Sequence, residues 1–192
     1  PIGMQIICGK FEEVKMFEDY QKQIVSKLAN EFNLKNKMAV PKVAKVVINM
    51  GIGSSKDSKE EQEKMAAQLA TITGQKPSVR PARAAVAGFG VREGQVVGIA
   101  VTLRGRRMYE FLQKLFRIVL PRIRDFRGVE KNAFDSLGNY SLGIADTSVF
   151  PEIDITRLGK SVGLGITIVT TTADRQQALR LLEELGMPFE KE

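Results

Sequence analysis

Apolar residues recur at steps of three and four at Phe17, Tyr20, Ile24, Leu28 and Phe32. That spacing gathers them on one face of a helix, predicted from about Met16 to Asn33. Pro41 then opens a β-branched run, and Val43 to Met50 is expected to be a strand. A glycine-bearing turn, Gly51-Ile52-Gly53-Ser54-Ser55, leads to Ser58 and Glu61, spaced as a capping box. A helix should follow to about Thr73 and close at Gly74. Gln75 to Gln95 holds two prolines, three glycines and scattered arginines, which predicts a long connection or a mobile hairpin and no core element. Val96 to Arg104 reads as a strand. Met108, Phe111, Leu112, Leu115 and Val119 mark a helix that Pro121 stops. A short strand is expected near Tyr140 to Ile144 and a stronger one over Gly163 to Thr172. Asp174 should cap a last helix reaching about Leu185, ended by Gly186 and Pro188.

The order helix, strand, helix, strand, helix, strands, helix contains no internal repeat. It predicts one α+β domain over residues 14–192, a mostly antiparallel sheet with helices packed on one face. The other face would be left for a ligand. Residues 1–13 read as a weakly ordered arm.

Composition sharpens the functional side. Hydrophobic residues make up 43% of the 192, enough for a sizeable core. No apolar run approaches the roughly 20 residues that cross a bilayer, and the first residues lack the pattern of a signal peptide, so no membrane partner is expected. One cysteine and no histidine leave no intramolecular disulfide, no Cys/His zinc site and no neutral-pH imidazole base. The reading is of a non-enzyme without metal or cofactor.

Net charge is +7, and its placement says more than its size. Arg80 to Lys131 holds twelve Lys or Arg against four Asp or Glu, whereas the rest of the chain is nearly neutral. Ten of the twelve are arginine, whose planar fork grips phosphate oxygens and stacks on bases. A concentrated arginine stretch is the footprint of a polyanion partner, above all nucleic acid.

Other motifs read more blandly. Gly51 and Gly53 follow a strand, but a dinucleotide fingerprint needs a third glycine where Lys56 stands, and the phosphate-loop pattern is missing. Glycine there still lets an RNA backbone come close. Glu60, Glu61 and Glu63 suit the positive end of a helix. Asp146, Glu152 and Asp154 read as loop carboxylates. Tyr109, Phe111, Phe116 and Phe126 are interleaved with arginines; Phe111 fits a core face, and Tyr109 and Phe126 are candidates for base stacking.

A longer pattern runs through these pieces. It comprises Asn49-Met50-Gly51, Gly74-Gln75-Lys76-Pro77, Val86-Ala87-Gly88-Phe89, Arg92-Glu93-Gly94 and Val101-Thr102-Leu103-Arg104-Gly105. Pro121 through Gly128, Gly138-Asn139-Tyr140-Ser141 and Phe150-Pro151-Glu152-Ile153-Asp154 continue it. In this order, from about Phe17 onward, the chain resembles the family of the large-subunit ribosomal protein numbered five, bacterial and organellar form. The resemblance implies an antiparallel sheet, helices on one side and a protruding basic loop. It implies binding to 5S ribosomal RNA in the central protuberance, beside large-subunit ribosomal RNA and neighbouring ribosomal proteins. The implied ribosomal-RNA contacts are Asn49, Gly51, Gln75, Thr102 and Arg104. The implied loop, about Arg80 to Gly94, would reach peptidyl-site transfer RNA through Arg80, Arg83, Phe89 and Arg92. A region within Asp135 to Asp146 would meet a small-subunit head protein across the subunit bridge. The expected location is the cytoplasmic or organellar ribosome. Ala84, Ala85 and Gly90 stand where the family usually carries Lys-Ser and a further basic residue, so the loop tip is less basic than the family pattern.

Overall fold

The computed structural model describes residues 20–34, 36–53, 58–153 and 162–190. Within them five strands form one sheet: β1 Val43–Gly51, β2 Ser78–Pro81, β3 Val96–Leu103, β4 Tyr140–Ile144 and β5 Leu164–Thr170. The spatial order is β2-β3-β1-β5-β4, and every pairing is antiparallel. The four α-helices are α1 Val25–Glu31, α2 Lys59–Thr73, α3 Gly105–Lys114 and α4 Arg175–Glu184.

Strand alternation sorts the sheet into two unlike faces. Val46, Ile48 and Met50 of β1, Ile99, Val101 and Leu103 of β3, and Leu164, Ile166 and Ile168 of β5 are buried on one side. Helical side chains complete that core: Leu28, then Met65, Leu69 and Ile72, then Met108, Phe111 and Leu112, then Leu181 and Leu182. Each buried Leu or Ile contributes on the order of 1.5–3 kcal/mol of transfer free energy. The opposite face carries Val47, Asn49, Thr102, Thr167 and Ser141, all partly or fully exposed.

Local signals act where expected. The Ser58 hydroxyl accepts from Glu61 N–H at 3.4 Å, Gly74 closes α2 at φ 66°, and Asp174 caps α4 by accepting from Gln176 N–H at 2.9 Å. Past Lys114 the third helix widens into a π-turn, Leu115–Val119, and tightens into a 3-10 turn, Leu120–Arg122. Pro121 lies in that second turn, where its missing N–H leaves the Arg117 carbonyl without an α-helical donor.

Some expectations need correction. The first helix, predicted from Met16, begins outside the described residues. Its described part opens as a π-turn, Tyr20–Ile24, before α1. Gln75 to Gln95 is ordered: β2 pairs with β3, so Arg80 belongs to the sheet and not to a loose loop. Val79 and the exposed, proline-bearing sequence of an edge strand hide that element from a periodicity argument. Tyr109 is 5% exposed and packs on Tyr20, ring centroids 5.8 Å apart, so it offers no base-stacking surface; Phe116 is likewise buried, and Phe126 packs against the core. The carboxylates near Pro151 have separate tasks. Asp146 accepts from Ser148 N–H, Glu152 pairs with Lys114 at 2.7 Å, and Asp154 lies outside the described residues.

Candidate nucleic-acid interface

The helix-free face is built from residues in strict register. Ser78, Ala100, Asn49, Gly165 and Gly143 follow one another across the five strands. On one side of that row lie Arg80, Gly98 and Gly51; on the other lie Thr102, Val47, Thr167 and Ser141. Asn49 is the one long polar side chain in its row. The Ser141 and Thr167 hydroxyls lie 3.4 Å apart.

Four glycines keep this surface low. A Cβ at Gly51 or Gly143 would meet nothing within 4 Å, and one at Gly165 only the Asn49 carbonyl at 3.8 Å. Packing within the chain therefore demands glycine at none of the three; only Gly98, facing the Met50 carbonyl at 3.2 Å, is crowded. The result is a shallow polar floor about 19 Å across, from four strand spacings. It carries amide and hydroxyl groups, with the Arg80 and Lys45 cations on the same face. Such a floor suits the wide, shallow minor groove of A-form RNA and its 2′-hydroxyls, and it suits no enclosed small molecule.

Of the predicted ribosomal-RNA residues, Gln75, Thr102 and Arg104 lie at one end of this floor, with Asn49 in the next row. The Gln75 side-chain amide donates to the Thr102 carbonyl at 3.4 Å, joining the segment after α2 to β3. Asn49, in register with Ala100, is diagonal to Thr102. Arg104 is exposed and extended, continuing the alternation past Thr102, just before α3. The first turn of α3 has no side-chain cap, so its N–H groups add positive potential beside Arg104. Gly51 sits further along the same face, at the other end of β1.

The second predicted group is divided. Arg80 lies in β2 beside Gly98, whereas Arg83, Phe89 and Arg92 belong to the hairpin that joins β2 to β3. Ala82 N–H donates to the Gln95 carbonyl at 2.8 Å, Gly94 N–H to the Ala82 carbonyl at 3.0 Å, and Val86 bridges Val91. A 3-10 turn, Ala87–Phe89, forms the tip, where Phe89 is 78% exposed.

The third predicted region, Asp135 to Asp146, opens as a stiff turn and runs on into β4. Asp135 accepts from Leu137 N–H at 2.9 Å and Asn139 N–H at 2.7 Å, and Asn139 Nδ2 donates to its other oxygen at 2.8 Å. These bonds, the Asn139 side chain first, hold the Asp135 carboxyl below its usual range. Leu137 is left exposed at the turn.

Two family models cover almost all of this architecture. One, for ribosomal protein L5, matches residues 36–92; the other, for the C-terminus of the same ribosomal family, matches residues 96–189. The large ribosomal subunit protein uL5 of Thermotoga maritima is 50% identical over 182 residues, spanning 95% of this chain and 99% of the relative. The chain belongs to the ribosomal protein L5 family. The uL5 proteins of Oceanobacillus iheyensis and Streptococcus sanguinis are each 48% identical, covering 91% and 92% of this chain and 97% and 98% of their own. Membership of the L5 family makes this a structural, non-enzymatic constituent of the large ribosomal subunit that works among its RNA and proteins.

For an L5 protein, the glycine-kept floor and the Ser141–Thr167 hydroxyl pair are features that motif reading overlooked. A single glycine inside each of two strands, Gly143 and Gly165, is the available signal. It becomes meaningful only when register places those glycines beside Asn49.

Proposed function

We propose that this chain anchors 5S ribosomal RNA on the helix-free face of its sheet, with Asn49, Gly51, Gln75, Thr102 and Arg104 as the contacts. The observation that carries the reading is the register. It sets Asn49 diagonal to Thr102, with Gln75 bonded to the Thr102 carbonyl and Arg104 two residues on, over a stretch of sheet that glycines keep low. Asn49 and Gln75 suit base edges and 2′-hydroxyls, Thr102 a 2′-hydroxyl, and Arg104 a phosphate. Gly51 admits the RNA backbone without a side chain in the way.

The hairpin from Ala82 to Gln95, with Arg80 at its base, serves peptidyl-site transfer RNA in this reading. Arg83 and Arg92 meet phosphate and Phe89 meets a sugar or base. The Asp135–Asp146 region meets a small-subunit head protein, with exposed Leu137 as its apolar contact. The particle is the cytoplasmic ribosome of a bacterium, in keeping with the bacterial relatives.

Filter binding of 5S ribosomal RNA across a salt series tests the central claim. Affinity should be high at low salt and fall steeply, because phosphate contacts release counterions. A flat salt response, or no preference for 5S over unrelated RNA of equal length, overturns it.

A further inference from the structure

The chain beyond α4 doubles back onto the segment that leads into β4. Gly186, at φ 88°, turns it at the helix end, and Met187 N–H reaches the Leu182 carbonyl at 3.0 Å. Met187 is buried there, so the direction of exit is fixed. Phe189 then runs parallel to Val129. Val129 N–H donates to the Pro188 carbonyl at 2.9 Å, and Glu190 N–H to the Val129 carbonyl at 3.1 Å.

The two segments meet at main-chain distance. Gly128 holds φ 121°, and a Cβ there would stand 2.5 Å from the Glu190 Cα and 2.8 Å from the Phe189 carbonyl carbon. Glycine alone permits that approach. Phe189 is thereby brought within reach of two rings. Its centroid lies 6.0 Å from that of Tyr140, edge to face at 86°, and 6.4 Å from that of Phe134. Phe134 and Tyr140 meet in turn at 4.8 Å. Tyr140 is wholly buried, and its hydroxyl donates to the Glu130 carbonyl at 2.8 Å.

This triangle of rings stands at one shoulder of the Asp135 turn. Phe134 immediately precedes Asp135, whose carboxylate gathers the Leu137 and Asn139 amides. The other shoulder is bonded into β5. Thr170 N–H donates to Asn139 Oδ1 at 3.3 Å, and the Thr170 hydroxyl to the Gly138 carbonyl at 2.9 Å. The Phe134 shoulder pairs with the start of β4, through Ser141 N–H to the Ala133 carbonyl at 3.2 Å and the bridge from Phe134 to Tyr140. That pairing lies at the end of the sheet, where β4 is the last strand. A short ladder at a sheet edge opens locally at small cost unless side chains weigh it down. Phe189 brings that weight from a distant part of the chain.

We propose that Phe189 is a positioning residue for the turn that displays Leu137: its ring clamps Phe134 against Tyr140 and so fixes where the Leu137 side chain stands. The functional consequence rests on the proposed contact between this turn and a small-subunit protein. Leu137 is 63% exposed, and a single apolar side chain contributes little on binding if its turn must first be ordered. A turn held at both shoulders meets its partner already in shape. With the Phe189 ring removed, the same turn would carry Leu137 over a range of positions, and part of the contact would go into ordering it.

The test uses the whole chain carrying Phe189→Ala, with Phe189→Leu as a milder variant that keeps volume but not the ring, and Phe189→Tyr as the conservative one. Amide hydrogen exchange and the titration of Asp135 are followed by NMR in each free protein. Large subunits reconstituted with each are then joined to small subunits and followed by light scattering. Phe189→Ala should speed exchange of the Leu137 and Asn139 amides by about two- to tenfold, the range that an aromatic pair supplies. Amides of the central strand β1 should change less, and the Asp135 titration should move up toward the ordinary carboxylate range. Subunit joining should weaken by a similar factor. Phe189→Leu should move all three the same way by less, and Phe189→Tyr should restore them. Unchanged turn amides and an unchanged Asp135 titration overturn the clamp, and so does equal acceleration in β1 and the turn, which is the mark of ordinary packing. A loosened turn with full subunit joining overturns the positioning role. Leu137→Ser on the intact clamp tests the underlying reading separately: full joining there means that the turn meets no small-subunit protein, and the positioning role falls with it, whatever the turn amides show.

Discussion

The amide of Gln75 donates to the main-chain carbonyl of Thr102, and that one bond of 3.4 Å locks the segment after α2 against the C-terminal end of β3. Gln75 is thereby fixed beside Thr102 and Arg104 without either of those side chains being used up. The site is pre-arranged, and its members should respond to mutation unequally. Asn49→Ala, Thr102→Ala and Arg104→Ala should each weaken 5S RNA binding while leaving the circular dichroism spectrum intact. Arg104→Ala should cost most, about 1–3 kcal/mol if its contact is bidentate. Gel shift on the three proteins measures this, and wild-type affinity in all three would mean a different surface binds.

The floor is open to a sharper probe. Gly51→Val should leave melting nearly unchanged, since a Cβ there meets nothing within 4 Å and valine favours strands. It should nonetheless cut RNA affinity by about tenfold, roughly 1.4 kcal/mol, by propping the RNA away. Full affinity in a well-folded Gly51→Val protein would show that no RNA backbone approaches this strand.

Replacing Ala82–Arg92 with a short Gly-Ser linker removes the hairpin but none of the buried core residues. Folding and 5S RNA binding should survive, and protection of transfer RNA in reconstituted particles should fall. Melting of the domain on this deletion would make the hairpin structural.

Alkali should unfold the protein through its tyrosines. Burial pushes the Tyr20 and Tyr140 hydroxyls up to about 12, with Glu130 adding to the second, and raises Tyr109 further still. Below the unfolded value near 10, all three are neutral in both states and their contribution is intact. As pH rises from about 10 toward 12 the unfolded chain ionises first, and stability falls by at most about 1.4 kcal/mol per tyrosine per unit. With no histidine in the chain, stability should be nearly level across neutral pH. Chemical denaturation at stepped pH, followed by tyrosinate absorbance, checks both parts. A tyrosine ionising near 10 in the folded protein would contradict the burial.

Most of the fold could be read from patterning because local and tertiary signals agree. Tyr20, Ile24 and Leu28 lie on one helical face and are buried together, and Tyr140 to Ile144 is a strand with the bounds its sequence suggested. β2 was invisible because an edge strand with every residue exposed has no buried face to create a period. Tyr109 was misjudged because arginines surround it in sequence, whereas the helix turns it to Tyr20 and away from them. The proposed contact residues come from motif likeness; that Gln75 bonds Thr102 while Gly165 adjoins Asn49 depends on register, which no single segment encodes.

Asn49 and Gly165 are direct neighbours in the sheet although 116 positions separate them along the chain. The central strand must therefore wait, flanked by β3 alone, until β5 has left the synthesising ribosome. Closing such a long loop is slow relative to the local β2–β3 hairpin. The half of the surface that carries Asn49, Gln75, Thr102 and Arg104 needs only early segments, whereas the half that carries Gly165 and Gly143 arrives last. An RNA seated on the early half would bind the growing sheet before its final strands dock, and by mass action would favour their docking. On the proposed reading, the order of strands makes the nascent protein a client of the RNA it binds.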